Sequence, residues 1–226
     1  MILTKIKDVD LKFETESSIF SPNYIDNGTL AMLSVVDFLP GDKVLDLGCG
    51  YGVVGILTGK LIGEENVIMC DISERAVEYA KINAMLNGVP YIDIRLSDGY
   101  KNVEDDDFTL ILSNPPYHAD FSVPKNFIES GFKKLALGGR LVMVTKRLDW
   151  YKNKLIAIFG GVKVQEIEGY FVFVAEKRSR IIKRNTKAVK SLSKKLQRKR
   201  RNFIQRSRQI HVILLTTEFT VATVTP

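Results

Sequence analysis

Residues 44–56 read Val-Leu-Asp-Leu-Gly-Cys-Gly-Tyr-Gly-Val-Val-Gly-Ile. Val44 to Leu47 suit a short buried strand, the glycines at 48, 50 and 52 form a tight turn, and an apolar helical stretch over 53–62 follows. Strand, glycine turn and helix in that order make the opening unit of a doubly wound sheet, whose ligands sit beyond the carboxyl ends of the strands. The chain then repeats the alternation. NVIMC (66–70) is a second strand, and 74–87 is an amphipathic helix opened by Ser73 as N-cap and closed by Gly88. YIDIRL (91–96) alternates as a strand, FTLILS (108–113) is apolar almost throughout, 125–137 is helical before Gly138-Gly139, RLVMVTK (140–146) is a strand and 150–159 a helix. VKVQEI (162–167) and YFVFVAE (170–176) pair as a hairpin across Glu168-Gly169. Apolar strands separated by helices signal a parallel sheet covered on both faces. The expected fold is therefore α/β, a Rossmann-like, doubly wound, mostly parallel sheet of seven strands ending in an antiparallel hairpin.

Upstream, the first 25 residues alternate as a short β element ending at Pro22. After the turn-like DNG (26–28), TLAMLSVVDFL (29–39) has helical spacing until Pro40-Gly41 stops it. Residues 1–40 thus lead into a domain that ends near 177, and 178–226 form a basic extension. Residues 1–176 carry 18 Lys+Arg against 25 Asp+Glu, whereas 177–226 carry 15 against 1. An acidic body with a basic block at its end points to a polyanionic partner. Within the block, Ile182, Val189, Leu192, Leu196 and Phe203 keep roughly helical spacing. No apolar run reaches the roughly 20 residues that span a bilayer, and the N-terminus has no signal-peptide core, so the expectation is a cytoplasmic protein that meets no membrane. Cys49 and Cys70 are the two cysteines, too few for a metal cluster or a disulfide framework, and no histidine is near enough in sequence to make Cys49 a nucleophile.

At the glycine turn, Val53 stands where a dinucleotide-binding loop wants its third glycine, which counts against a nicotinamide cofactor. Glycines so closely spaced let backbone approach a ligand without a Cβ in the way. Asp46 places a carboxylate at the mouth of this loop, which repels a pyrophosphate and attracts an ammonium group. Asp71 ends the second strand, where a carboxylate can accept both hydroxyls of a ribose. Asp98, in LSDGY after the third strand, can accept from an adenine amino group, although Asp-Gly is also a common turn. Together the three acids fit a nucleoside that carries a positively charged amino acid moiety.

DLGCGYG, the acid in CDIS, LSDG and SNPPY occur in the order found in class I S-adenosylmethionine-dependent methyltransferases, and the chain resembles that family over about residues 10–177. The resemblance implies that Asp46, Gly48, Cys49, Gly50 and Gly52 hold the methionine end of S-adenosylmethionine, that Asp71 and its neighbour Ile72 meet the ribose, and that Ser97 and Asp98 meet the adenine. SNPPYH (113–118) closes the fourth strand with a stiff corner, since each proline fixes its own φ and restricts the residue before it. In that family Asn114, Pro115, Pro116 and Tyr117 mark enzymes that methylate a nitrogen conjugated to a ring or carbonyl. Such a nitrogen needs aim more than a base. The Asn114 side-chain oxygen and the Pro115 carbonyl can accept both N–H bonds of an amine, and Tyr117 can stack on the base. The target base must then be single-stranded or flipped out. His118 lines the entrance or does nothing, because nothing requires a base there.

Beyond the tetrad, the helix leading to GGRL, the pair Trp150-Tyr151 and the aromatic final strand are similar to the small-subunit ribosomal RNA guanine-N2 methyltransferases, and IFSPNYIDNGTL matches that family's segment before the glycine loop. The similarity puts Asp26, Gly28 and Thr29 near cofactor or substrate. It implies methyl transfer to an exocyclic amino group of RNA, guanine N2 of ribosomal RNA first, with the basic block as an arm for RNA phosphates. Adenine N6 of RNA or DNA, a protein glutamine, and a nucleic-acid-binding relic without chemistry are the other readings.

Overall fold

The structure is a computed structural model and describes residues 1–17, 19–116 and 120–179. In chain order these form β1 (Ile2–Ile6), β2 (Val9–Phe13), α1 (Asn27–Ser34), β3 (Val44–Leu47), α2 (Val53–Ile62), β4 (Val67–Asp71), α3 (Glu74–Leu86), β5 (Asp93–Leu96), β6 (Phe108–Ser113), α4 (Ser122–Lys134), β7 (Leu135–Thr145), α5 (Asp149–Phe159), β8 (Lys163–Ile167) and β9 (Tyr170–Glu176). The basic block expected from 178 onward lies outside the described residues apart from Arg178 and Ser179.

Seven strands make one sheet in the order β5-β4-β3-β6-β7-β9-β8. The first five of these are parallel, and β9 pairs antiparallel with both β7 and β8. The chain winds outward from β3 through β4 to β5, then returns to lay β6 on the other side of β3. That reversal leaves a crevice beyond the carboxyl ends of β3 and β6. One face of the sheet packs Val44, Met69, Leu110 and Val142 against Met32, Ile56, Leu57 and Ala80 of α1, α2 and α3. The opposite face packs Leu45, Ile111, Met143 and Phe173 against Ile128, Phe132, Leu155 and Phe159 of α4 and α5. Alternate residues of each strand serve opposite faces, which is why β3 and β6 are apolar almost throughout.

The N-terminal region departs from the expected single β element. It is a separate antiparallel hairpin, Ile2 opposite Phe13 and Ile6 opposite Val9, turned by Lys7 and Asp8 at φ 50° and 63°. Two buried asparagines of the α3 region hold its second strand. Asn87 Oδ1 accepts from Lys12 N at 3.0 Å while its Nδ2 donates to Lys12 O at 2.7 Å. Asn83 does the same for Glu14, at 2.7 and 3.0 Å, and also donates to Tyr51 O at 2.9 Å. Each side-chain amide thus replaces the neighbouring strand that β2 lacks, and Leu11 and Phe13 are thereby fixed in the core.

Two boundaries also differ. Helix α1 stops at Ser34, five residues before the expected end. Strand β7 begins at Leu135, so Gly138-Gly139 lie inside a strand instead of ending a helix. The register with β6 shifts there, Phe108 pairing with Leu135 and Leu110 with Arg140. A Cβ on Gly139 would lie 2.7 Å from Phe108 O, so the glycine permits the close approach that this bulge requires.

Candidate active site

The strand ends around the crevice are tied to their neighbours by hydrogen bonds. Gly48 N and Cys49 N donate to Cys70 O at 2.8 and 3.0 Å, fastening the glycine turn to β4. Ser97 N donates to Asp71 O at 2.8 Å, and Ser113 Oγ donates to Leu47 O at 2.8 Å. These ties surround a cavity of about 340 Å³, lined among others by Asp26, Thr29, Asp46, Gly48, Gly50, Asp71, Asp98, Asn114 and Pro115.

The glycines face open space. Gly48 and Gly50 sit at φ 78° and 55°, and a Cβ on either would meet no protein atom within 4 Å. Their conformation favours glycine, and the space above them is what a ligand pressed against backbone would occupy. Gly52 differs, because a Cβ there would lie 2.8 Å from Ile56 Cδ1 and 2.9 Å from Met69 Cε. It is a packing position at the start of α2 and does not line the cavity.

Asp46 is the correction to the sequence reading. Instead of standing at the rim it is 3% exposed, and Oδ2 accepts from Gly55 N, an otherwise unsatisfied donor of the first turn of α2, at 2.9 Å. Burial raises its pKa to about 7; the bond from Gly55 opposes this, and the charge of Asp71 adds to it. Asp71 is held by two backbone donors, Gly50 N to Oδ2 and Ser73 N to Oδ1, both at 2.9 Å. Each of its oxygens keeps a lone pair for a further donor. Asp98 is exposed and pairs with Lys101 at 2.6 Å, and Ser97 Oγ donates to Gly99 O, so Ser97 shapes the turn. Ile72 is 68% exposed beside the cavity. Cys49 lines it too, and burial pushes its thiol well above the ordinary value, which keeps it protonated.

Asn114 has the most informative environment. Its Nδ2 donates to Asp26 Oδ2 at 2.8 Å and to Thr29 Oγ1 at 3.0 Å. A carboxylate can only accept, so the amide nitrogen must face Asp26 and the amide oxygen must face the other way. That oxygen, Oδ1, is buried and has no hydrogen-bond partner among the described residues. Asp26 is itself fixed as the N-cap of α1, accepting from Thr29 N at 2.9 Å. An unpaired buried acceptor costs roughly 1–3 kcal/mol, so a ligand that supplies one N–H there gains what the free protein forgoes.

Of the residues expected at a site, Asp26, Thr29, Asp46, Gly48, Cys49, Gly50, Asp71, Ile72, Ser97, Asp98, Asn114, Pro115 and Pro116 all line the one cavity. Gly28 is buried in α1 and Gly52 packs behind the turn, so neither reaches it. Tyr117 and His118 lie outside the described residues. Phe20, Tyr51 and Phe127 line the cavity without having been expected there. Phe20 lies in the segment IFSPNYIDNGTL and Phe127 in the helical stretch before Gly138-Gly139, where a single aromatic carries no local signal of a site. Among the described residues, no group of three or more His, Cys, Asp or Glu is arranged to hold a metal ion, and no helix is long and apolar enough to cross a membrane.

The family model of the methyltransferase small domain matches residues 10–175. The protein YbxB of Bacillus subtilis (strain 168) is 30% identical over 179 residues, which cover 76% of this chain and 89% of that protein. Ribosomal RNA small subunit methyltransferase C of Serratia proteamaculans (strain 568) is 31% identical over 166 residues, covering 72% of this chain and 47% of that protein. The chain spans about half the length of the methyltransferase C relatives it matches. Among solved structures, the T. thermophilus 16S rRNA N2 G1207 methyltransferase, in complex with AdoMet and guanosine, superimposes with a TM-score of 0.71 at 24% identity, over 78% of this chain and 50% of that one.

Proposed function

The chain belongs to the methyltransferase small domain family, the class I S-adenosylmethionine-dependent methyltransferases, and from that premise we propose that it methylates an exocyclic amino group of RNA, guanine N2 of small-subunit ribosomal RNA. The observation that carries this reading is the buried, unpaired Oδ1 of Asn114, whose amide cannot turn over because Asp26 and Thr29 hold its nitrogen. An acceptor presented in that way suits an N–H donor. The names of the relatives support the choice of RNA, as does the guanosine in the T. thermophilus complex.

The residues of the cavity fit S-adenosylmethionine. The open backbone over Gly48 and Gly50 takes the methionine portion, the buried Asp46 meets its ammonium, and the remaining lone pairs of Asp71 meet ribose hydroxyls. When bound, S-adenosylmethionine supplies a methyl group already activated by sulfonium, so no strong base is required. Asn114 Oδ1 accepts one N–H of the target amine, and the carbonyl of Pro115 is the proposed second acceptor. With both N–H bonds engaged, the amine is fixed in direction, and positive charge growing on its nitrogen is met by carbonyl dipoles already in place. Asp46, half ionised near neutrality before ligand arrives, becomes a full carboxylate once an ammonium group is paired with it.

The decisive experiment is nucleoside mass analysis of small-subunit ribosomal RNA after incubation with the protein and S-adenosylmethionine. N2-methylguanosine is expected. N6-methyladenosine, or methyl transfer to protein alone, would overturn the choice of target. Asn114→Ala should lower turnover about 100-fold, in the range seen for removing one positioned hydrogen-bonding group, with calorimetric affinity for S-adenosylmethionine unchanged. The block 177–226, with 15 Lys+Arg, is proposed as an electrostatic arm for RNA. Deleting 178–226 should weaken RNA binding and leave cofactor affinity intact.

A further inference from the structure

Two consecutive cations, Lys146 and Arg147, follow β7 at the same carboxyl edge of the sheet, and both are exposed. Ser113 pairs with Met143, so the parallel register carries the chain beyond Thr145 alongside the Asn114 to Pro116 corner. Each cation rests on an aromatic ring. Lys146 Nζ lies 4.8 Å from the ring centre of Tyr170, and the Arg147 guanidinium carbon lies 5.0 Å from that of Phe121. Phe121 is in turn stacked on Trp150, with ring centres 4.6 Å apart and planes at 28°. Arg147 N also donates to Thr145 Oγ1 at 3.3 Å, which steadies the backbone of the turn. Tyr170 belongs to the apolar cluster on one face of the sheet, and Trp150 packs against the cluster on the other. The two cations therefore straddle the sheet edge next to the amine-holding corner.

Arg75, Arg95 and Arg178 are each paired with carboxylates, and the Arg140 guanidinium donates to Asp37 O at 3.4 Å. Among the described residues neither Lys146 nor Arg147 makes an ion pair, although Asp120 and Asp149 are close by in the chain. A ring contact restricts a cation's position without cancelling its charge. An arginine held over a phenylalanine ring has already lost part of its rotamer freedom, so less is lost when a partner arrives. Its planar fork is suited to two oxygens of one phosphate, and lysine adds a point charge beside it.

We propose that Lys146 and Arg147 form a phosphodiester-binding fork that grips the RNA backbone next to the target nucleotide while its base enters the cavity. This rests on the reading of RNA as substrate. The probe is a fluorescein-labelled, single-stranded RNA oligonucleotide, titrated with the full chain by anisotropy over a series of salt concentrations. For K146A/R147A, affinity at low salt should fall about tenfold, and the slope of log affinity against log salt should become shallower by about 1.4, since each phosphate neutralised on a single strand contributes about 0.7. Affinity for S-adenosylmethionine should not change. Phe121→Leu keeps both charges, so it should keep the slope and lose several-fold in affinity. An unchanged slope and affinity in the double variant would overturn the fork, and a full-affinity Phe121→Leu would overturn the role of the ring. A wild-type chain that methylates no RNA would remove the functional reading and the fork together; wild-type methylation of RNA that is indifferent to K146A/R147A removes the fork alone.

Discussion

Replacing Asp46 by asparagine should make the ligand-free protein more stable and abolish cofactor binding, and the gain should depend on pH. Asp46 is buried with one backbone donor, and desolvation first, then the charge of Asp71, hold its pKa near 7 against an ordinary 3.8, with the Gly55 bond working the other way. Because the folded value is the higher one, stability from this group is fully present below about pH 4 and is lost as pH rises through about 7. A gap from 3.8 to about 7 corresponds to about 4 kcal/mol between those limits, of which about 3 kcal/mol disappears between pH 5 and pH 8. Asparagine has the same shape, accepts from Gly55 through its oxygen, and does not titrate. The melting temperature of Asp46→Asn relative to wild type should therefore climb by roughly 5–10 °C from pH 5 to pH 8, at roughly 2–4 °C per kcal/mol for a domain of this size. Thermal melts of both proteins without ligand at the two pH values measure it. Adding S-adenosylmethionine at pH 8 should raise the melting temperature of wild type only, since a ligand stabilises only the form that binds it. Curves that stay parallel from pH 5 to pH 8 would refute the assignment of Asp46 as a carboxylate kept under strain by burial.

Asp26→Ala should lower turnover about tenfold, because Asn114 keeps only the Thr29 contact and its amide can turn over; Asp26→Asn, whose oxygen can still accept from Thr29 N and Asn114 Nδ2, should restore most of the rate, an outcome that loss of a helix cap alone would not require. Asn83→Ala should cost about 2–4 kcal/mol in urea unfolding, since three backbone groups in Glu14 and Tyr51 lose their partner in a buried place. Gly52→Ala should cost about 1–3 kcal/mol by the same assay, because φ is 101° and the new Cβ meets Ile56 and Met69; a neutral result would mean that the start of α2 relaxes freely.

The sheet is legible because its central strands are apolar enough to be buried on both faces, and because glycine, serine and the Glu168-Gly169 turn punctuate the chain. The N-terminal hairpin was not, because Lys7-Asp8 is an uncommon choice for a turn that needs two positive φ angles, and asparagine or glycine would have announced it. Nothing in the helical pattern of 74–87 marks Asn83 and Asn87; only the hairpin that packs there turns them into buried strand substitutes. Gly138-Gly139 carried a true signal with two meanings, a helix stop or a bulge, and the close approach of Phe108 O selects the second. At the site, the chemical types at strand ends were enough to gather Asp46, Asp71 and Asn114. The state of each was hidden. Asp26 and Thr29 are 88 and 85 residues from Asn114 in sequence, so nothing local could reveal that they fix its amide.

The polarity of the site divides its two proposed ligands by charge. The cavity is walled by Asp26, Asp46 and Asp71, with no lysine or arginine lining it among the described residues, so it favours a cation and opposes a phosphate. Past the end of β7, alongside the corner that follows β6, Lys146 and Arg147 favour a phosphate and oppose a cation. In the proposed function a cofactor bearing ammonium and sulfonium is drawn inward, and the backbone of a nucleic acid is held outside. Only a neutral, flat base can pass from the rim to the acidic interior without an electrostatic cost. Asn114 stands where the two regions meet, with its acceptor turned away from Asp26 and unpaired. The proposed arrangement therefore favours a group that is neutral and has N–H bonds to donate, and among the parts of the proposed RNA substrate that is a base amine.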